Sequence, residues 1–153
     1  MLRLSKLTDY ATVILSFMAR DNTHVHAAIE IASATGIALP TVSKILKLLV
    51  NANVLISTRG AKGGYALARA PEKITIAAVI SALEGPIALT ECSISQQGCE
   101  QASGCEIGGN WSLINQTIHN ALESVTLADL IKPVRTQALW EKEILIPVAS
   151  LYR

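Results

Sequence analysis

Apolar residues recur every three or four positions at Leu7, Tyr10 or Ala11, Ile14, and Phe17 or Met18, which predicts an amphipathic helix over residues 6–20. A second, short helix is expected over residues 26–34. It stops at Thr35-Gly36, where glycine supplies the left-handed backbone that a helix end prefers. Pro40 then falls in the first turn of a third helix, where its missing N–H costs nothing. The run PTVSKILKLLVNAN sets Val42, Ile45, Leu46 and Leu49 on one face and Thr41, Lys44, Lys47 and Asn51 on the other. Beyond it Val54, Ile56 and Thr58 alternate, RGAKGG follows, and Tyr65, Leu67 and Arg69 alternate again: strand, tight turn, strand.

The back half has a different rhythm. Residues 74–83 (ITIAAVISAL) read as a buried helix after Pro71, halted at Glu84-Gly85-Pro86. A loop rich in Ser, Gln and Gly follows, unable to pack a core by itself. From Gly109 the pattern is helical once more, and Trp111, Ile114, Ile118, Leu122 and Val125 form a seam whose natural partner is the same helix of a second subunit. A helix packed on its own domain is the alternative. Trp140, Ile144, Leu145, Ile146 and Val148 mark an apolar tail expected to cover the core or that seam.

Two short helices joined by a Gly-containing turn fit a helix-turn-helix, although an ordinary helical hairpin with a solvated face fits equally well. The hairpin after the third helix shifts the balance, because that is where a winged helix carries its wing. RGAKGG is not a nucleotide-phosphate loop: its glycine frame is too short and a strand follows it. The expected fold is therefore mainly α, a winged helix-turn-helix with a small β-hairpin wing and a long dimerisation helix. Its parts are a DNA-binding domain (1–75), a linker helix (76–86), a cysteine-containing loop (87–109), a dimerisation region (110–132) and a C-terminal tail (133–153).

Charge agrees with this division. Residues 1–75 carry nine basic against four acidic side chains, and residues 76–153 carry four against eight, although the whole chain sums to only +1. A basic front half suits a polyanion. Thr41, Ser43 and Lys44 are the expected base-edge or nearby contacts, and Lys47 and Lys62 the phosphate contacts. Arg59 is expected in the minor groove, with Gly60, Gly63 and Gly64 letting the wing approach the backbone. Half the chain is apolar but only 4% is aromatic, which suits packed helices. No apolar run is long enough to span a membrane. Arg3 and Lys6 precede an apolar stretch, but Asp9 opens it and ARD is no cleavage site, so the expectation is a first helix in a cytoplasmic protein. No Ser/His/Asp grouping, carboxylate pair or nucleotide fingerprint argues for an enzyme.

All three cysteines, Cys92, Cys99 and Cys105, lie in one loop. In a reducing compartment clustered thiols are metal ligands or redox sensors. The spacing C-x6-C-x5-C is wider than a zinc knuckle and unlike a ferredoxin run, leaving an iron–sulfur cluster, zinc and a thiol switch all open.

The combination of LTDYA at 7–11, TGI at 35–37, RGAKGGY at 59–65 and a three-cysteine loop resembles the Rrf-two family of winged-helix regulators with IscR-like and NsrR-like members. LTDYAT with LPTVSKILKLL is most similar to the SUF-system branch, which controls iron–sulfur cluster assembly. The resemblance implies a homodimeric repressor on an imperfect inverted repeat of double-stranded DNA. It also implies a two-iron or four-iron cluster on the three cysteines. IscR-like members place a histidine three residues after the last cysteine; here that position is Gly108, and the first cysteine interval is one residue longer than usual. In NsrR-like members an N-terminal aspartate of the other subunit completes the site, and Asp9 stands in the matching place. Glu91, Glu100 and Glu106, an exogenous thiol or water are its rivals. A nitric-oxide or redox sensor of the same family, or a cluster-free thiol or zinc switch, are the alternative functions.

Overall fold

Ser5 opens the first helix by accepting the Thr8 N–H on its hydroxyl, and α1 runs Lys6–Arg20. In this computed structural model, which describes residues 3–94 and 105–133, α2 spans Ala28–Thr35 and α3 Leu39–Asn51. The chain turns by 120° between α2 and α3, the corner of a helix-turn-helix. Gly36 at φ 70° ends α2 as the sequence implies, and Pro40 lies in the first turn of α3.

Helix α2 begins two residues later than its apolar pattern indicates. Residues 25–27 are held extended because His26 exchanges two backbone hydrogen bonds with Tyr65, N–H to O at 2.9 and 2.8 Å. Glu30 then accepts the Ala27 N–H and starts the helix there. Tyr65 belongs to the wing, in which β1 (Leu55–Thr58) pairs antiparallel with β2 (Gly64–Leu67) in the register Leu55–Leu67 to Thr58–Gly64. His26 thus adds a one-residue third strand to the two-stranded sheet. Asn53, at φ 56°, turns the chain from α3 into β1; Asn tolerates that left-handed conformation better than most residues. The alternation read in β1 is not a burial pattern: Val54 and Leu55 are buried while Ile56 is exposed, because only the base of the hairpin reaches the core.

After a single 3-10 turn (Pro71–Lys73), α4 (Ile76–Glu84) is capped by the Thr75 hydroxyl and closed by Gly85 at φ 87°. The short α5 (Glu91–Ile94) leads into residues 95–104, outside the described part, as are the apolar tail positions beyond 133. Helix α6 (Gly108–Glu123) buries none of its residues. The chain then returns: Val125 and Leu127 pair with Ile76 and Ile74, and α7 (Leu127–Ile131) places Leu127 fully in the core. That core joins Ile14, Leu15 and Met18 of α1, Ile31, the α3 face of Val42, Ile45, Leu46 and Leu49, and Ile74. No single helix among the described residues is long and apolar enough to cross a membrane.

Candidate nucleic-acid interface and cysteine loop

With four positions of α3 consumed by the core, the opposite face is free. Ser43, Lys44, Lys47 and Asn51 are exposed there, whereas Thr41 is half-buried at the start of the helix. At the wing tip Arg59, Gly60, Ala61 and Lys62 are all exposed. Lys44, Lys47, Arg59 and Lys62 make no ion pair among the described residues, so their charge is available to an outside anion. Helix α3 and wing therefore offer cations in the arrangement by which a winged helix straddles DNA, one element for a major groove and one for a minor groove.

The glycines of RGAKGG have distinct jobs. Gly60 sits at φ 112°, a backbone few side chains tolerate. A Cβ on Gly63 would overlap the Thr58 carbonyl, and one on Gly64 would come within 2.6 Å of the His26 carbonyl oxygen. Gly63 closes the wing turn, and Gly64 permits the bridge to His26. These needs exist whatever the wing touches.

The cysteine loop is fastened at its base to α6. Asn115 accepts the Leu89 N–H and donates to the Ile87 carbonyl, both at 3.1 Å, so its amide satisfies the backbone that leads into α5. Cys92 lies in α5, and Cys105, an exposed free thiol, lies three residues before α6. Cys99 and Glu100 are outside the described residues. A Cβ built on Gly108 would meet only the Cys105 sulfur, at 3.9 Å. Position 108 is thus turned toward that thiol, and with glycine there the flank of Cys105 is open. Among the described residues no side chain caps the start of α6, and helix N–H groups of that kind favour an anion. Glu91 and Glu106 are exposed beside the loop. Asp9 is exposed in the first turn of α1, and its carboxylate makes no hydrogen bond among the described residues.

Sequence reasoning missed four positioning residues: His26, Asn115 and the pair Thr8–Glu84. Thr8 Oγ1 donates to Glu84 Oε1 at 2.5 Å and Ser5 N–H donates to the same oxygen at 2.7 Å. These contacts hold the carboxyl of Glu84 below the usual carboxylate range, the Thr8 hydroxyl being the larger cause. The only advance signal was chemical: a Thr beside the apolar stripe of α1 and a Glu just before a Gly-Pro stop.

Along the α6 seam, Trp111, Ile118 and Leu122 are half-buried while Ile114 is 44% exposed, and beside it Leu113 is 50% exposed. Ile94, Ile107 and Val125 are exposed as well.

Residues 4–133 match the family model Rrf2, described as an iron-dependent transcriptional regulator. Protein rrf2 of Nitratidesulfovibrio vulgaris is 30% identical over 132 residues, covering 86% of this chain and 88% of that one. The HTH-type transcriptional regulator IscR of Erwinia tasmaniensis is 29% identical over 102 residues, 67% of this chain and 61% of its own length. Among solved structures, CymR, the global cysteine regulator of B. subtilis, superposes with a TM-score of 0.66 at 30% identity, covering 86% of this chain and 97% of CymR. IscR of T. potens gives 0.62 at 26% identity, covering 85% and 86%.

Proposed function

The chain belongs to the Rrf2 family of winged-helix, DNA-binding transcriptional regulators, and on that premise we propose that it represses iron–sulfur cluster assembly genes by sensing cluster status. Cys92, Cys99 and Cys105 would hold a labile two-iron or four-iron cluster, with Asp9 of a second copy as the fourth ligand. The site's chemistry fits: soft thiolates suit iron–sulfur clusters, and Gly108 leaves room beside the Cys105 sulfur. When bound, the cluster supplies a shared set of metal–sulfur bonds that ties the loop together. An oxygen ligand opposite three thiolates is the harder, weaker partner, which suits a sensor that must lose its cluster.

The observation that carries this reading is the Asn115 clasp, which joins the root of the cysteine loop to α6. The exposed Leu113 and Ile114 support α6 as the surface for a second copy. Ordering the loop then bears on the helix that sets the distance between two reading heads. In a homodimer two copies of α3 enter successive major grooves of an imperfect inverted repeat, with Thr41, Ser43 and Lys44 near base edges. Lys47 and Lys62 meet phosphates, Arg59 enters the minor groove, and Gly60, Gly63 and Gly64 shape the wing around it. The cluster changes operator affinity only through its preference for one dimer conformation, and DNA must stabilise cluster binding by the same factor. The protein acts in the cytoplasm.

Anaerobically isolated protein should be coloured, contain iron and sulfide, and shift its operator more strongly than matched apo-protein. Equal affinity of the two forms would end the sensing proposal. The exposed, free thiol of Cys105 favours one second reading, a cluster-free thiol switch. That reading requires a colourless anaerobic preparation and a reversible link between cysteines.

A further inference from the structure

The geometry points to a second metal-binding site, separate from the cysteines: His24, His26 and Glu30 form a three-ligand seat for a divalent transition-metal ion of the zinc class. It lies where the wing joins the helix-turn-helix.

The buried ring of His26, 3% exposed, has an oxygen 3.1 Å from each nitrogen. Nε2 faces the backbone carbonyl of Asp21 and Nδ1 faces the Glu30 carboxylate, and both oxygens can only accept. With one ring hydrogen given to the Asp21 carbonyl, the Nδ1 lone pair would face Glu30 Oε1. A lone pair and a carboxylate oxygen cannot face each other at that distance without a shared cation, either a proton or a metal ion. Everything around the pair holds it in place. The second oxygen of Glu30 accepts the Ala27 N–H, and Phe17 packs its ring 5.2 Å from that of His26. A ring N–H donated to a backbone carbonyl is the support that metal-ligating histidines use to fix tautomer and orientation, and it leaves the other nitrogen free to ligate.

His24 supplies the third donor. Its ring meets that of His26 edge-on at 5.0 Å between centroids, and the ligand atoms of His24, His26 and Glu30 all lie within 4.8 Å of one another. Ligands about 2.0–2.1 Å from a tetrahedral zinc stand roughly 3.4 Å apart. The exposed His24 ring can close the difference by side-chain rotation, since its side chain makes no hydrogen bond among the described residues. Two imidazoles and one carboxylate suit zinc, cobalt, nickel or ferrous iron better than the all-oxygen preference of magnesium or calcium. Three protein ligands leave a fourth position to water, so the ion would exchange with its surroundings.

The location gives the ion something to act on. The backbone of His26 is the third strand of the wing sheet, and the Gly64 backbone lies against it. Tying His26 to His24 and Glu30 would stiffen the joint from which Arg59 and Lys62 are presented. Metal occupancy and wing placement on DNA are then linked, with or without a cluster on the cysteines.

The test uses an untagged full chain carrying Cys92→Ser, Cys99→Ser and Cys105→Ser, titrated with cobalt(II). The expected result is visible d–d absorption saturating at one ion per chain, without the charge-transfer bands of sulfur ligation. His24→Gln and Glu30→Gln should each weaken binding by at least about 10-fold. In the chain with its cysteines intact, saturating zinc should move the Gly64 and Tyr65 amide signals, and His24→Gln should abolish that movement. A folded cysteine-free chain that gives no cobalt absorption, His24→Gln binding as tightly as its parent, or unmoved wing amides would overturn the proposal and leave a shared proton between His26 and Glu30.

Discussion

Thr8, fully buried, hands its hydroxyl hydrogen to Glu84, and that one contact joins the first turn of α1 to the last residue of α4. Asp9 is the next residue along α1, and the Gly85-Pro86 stop that opens the cysteine loop follows Glu84 directly. The turn carrying Asp9 is therefore fastened to the root of the loop. Thr8→Val keeps the shape and removes the donor. The expected loss is about 1–2 kcal/mol, since the acceptor is charged but partly hydrated, read as a lower urea midpoint with an unchanged slope.

The same carboxylate sets a pH dependence. Hydrogen bonds from Thr8 and Ser5 depress the folded-state pKa of Glu84 below its unfolded value. Its contribution is therefore complete above the ordinary carboxylate range and disappears as pH falls through the depressed value. Glu84→Gln should be less stable at neutral pH and lose less on acidification. Parallel acid-denaturation curves for parent and variant would show the gap closing; a constant gap would contradict the assignment.

On DNA, Lys47→Ala and Lys62→Ala should each reduce the slope of log affinity against log salt by about one unit, with sequence preference retained. Arg59→Ala should instead lose preference for an A·T-rich minor groove. Binding isotherms at several salt concentrations on two operator variants separate these outcomes from a uniform loss through misfolding.

Gly64→Ala brings a methyl group against the His26 carbonyl. The bridge between wing and α1–α2 connection must open, with a cost of about 1–3 kcal/mol as two backbone hydrogen bonds are lost or bent. Amide exchange at Tyr65 should accelerate far more than exchange in the α3 core. Equal protection in both places would show that the bridge does not hold the wing.

Leu113→Glu or Ile114→Glu puts charge on the exposed apolar face of α6 while touching nothing in the core. Sedimentation should show a monomer with unchanged helix content and weak, single half-site binding. A variant that stays dimeric would place the subunit contact elsewhere.

Much of this architecture was legible because it rests on periodicity. The apolar stripes of α1 and α3, the Gly36 stop, the Pro40 start and the wing sequence each declare themselves within a few residues. His26 could not be placed that way. Its burial comes from pairing with Tyr65, far along the chain, and the same pairing delays α2. Nor could the Asn115 clasp be seen, since an Asn on a polar helix face looks like any solvated amide until the loop it holds is in view. Ile56 misled for a related reason: alternation reports two faces of a strand, not how deeply a hairpin is inserted.

Helix α6 buries no residue, yet it is tethered: Asn115, midway along it, grips the backbone that leads into α5, and Leu127, just after it, sits in the core. In the proposed dimer, any tightening of the loop would reach the second copy through Asn115 as a change in the angle of α6.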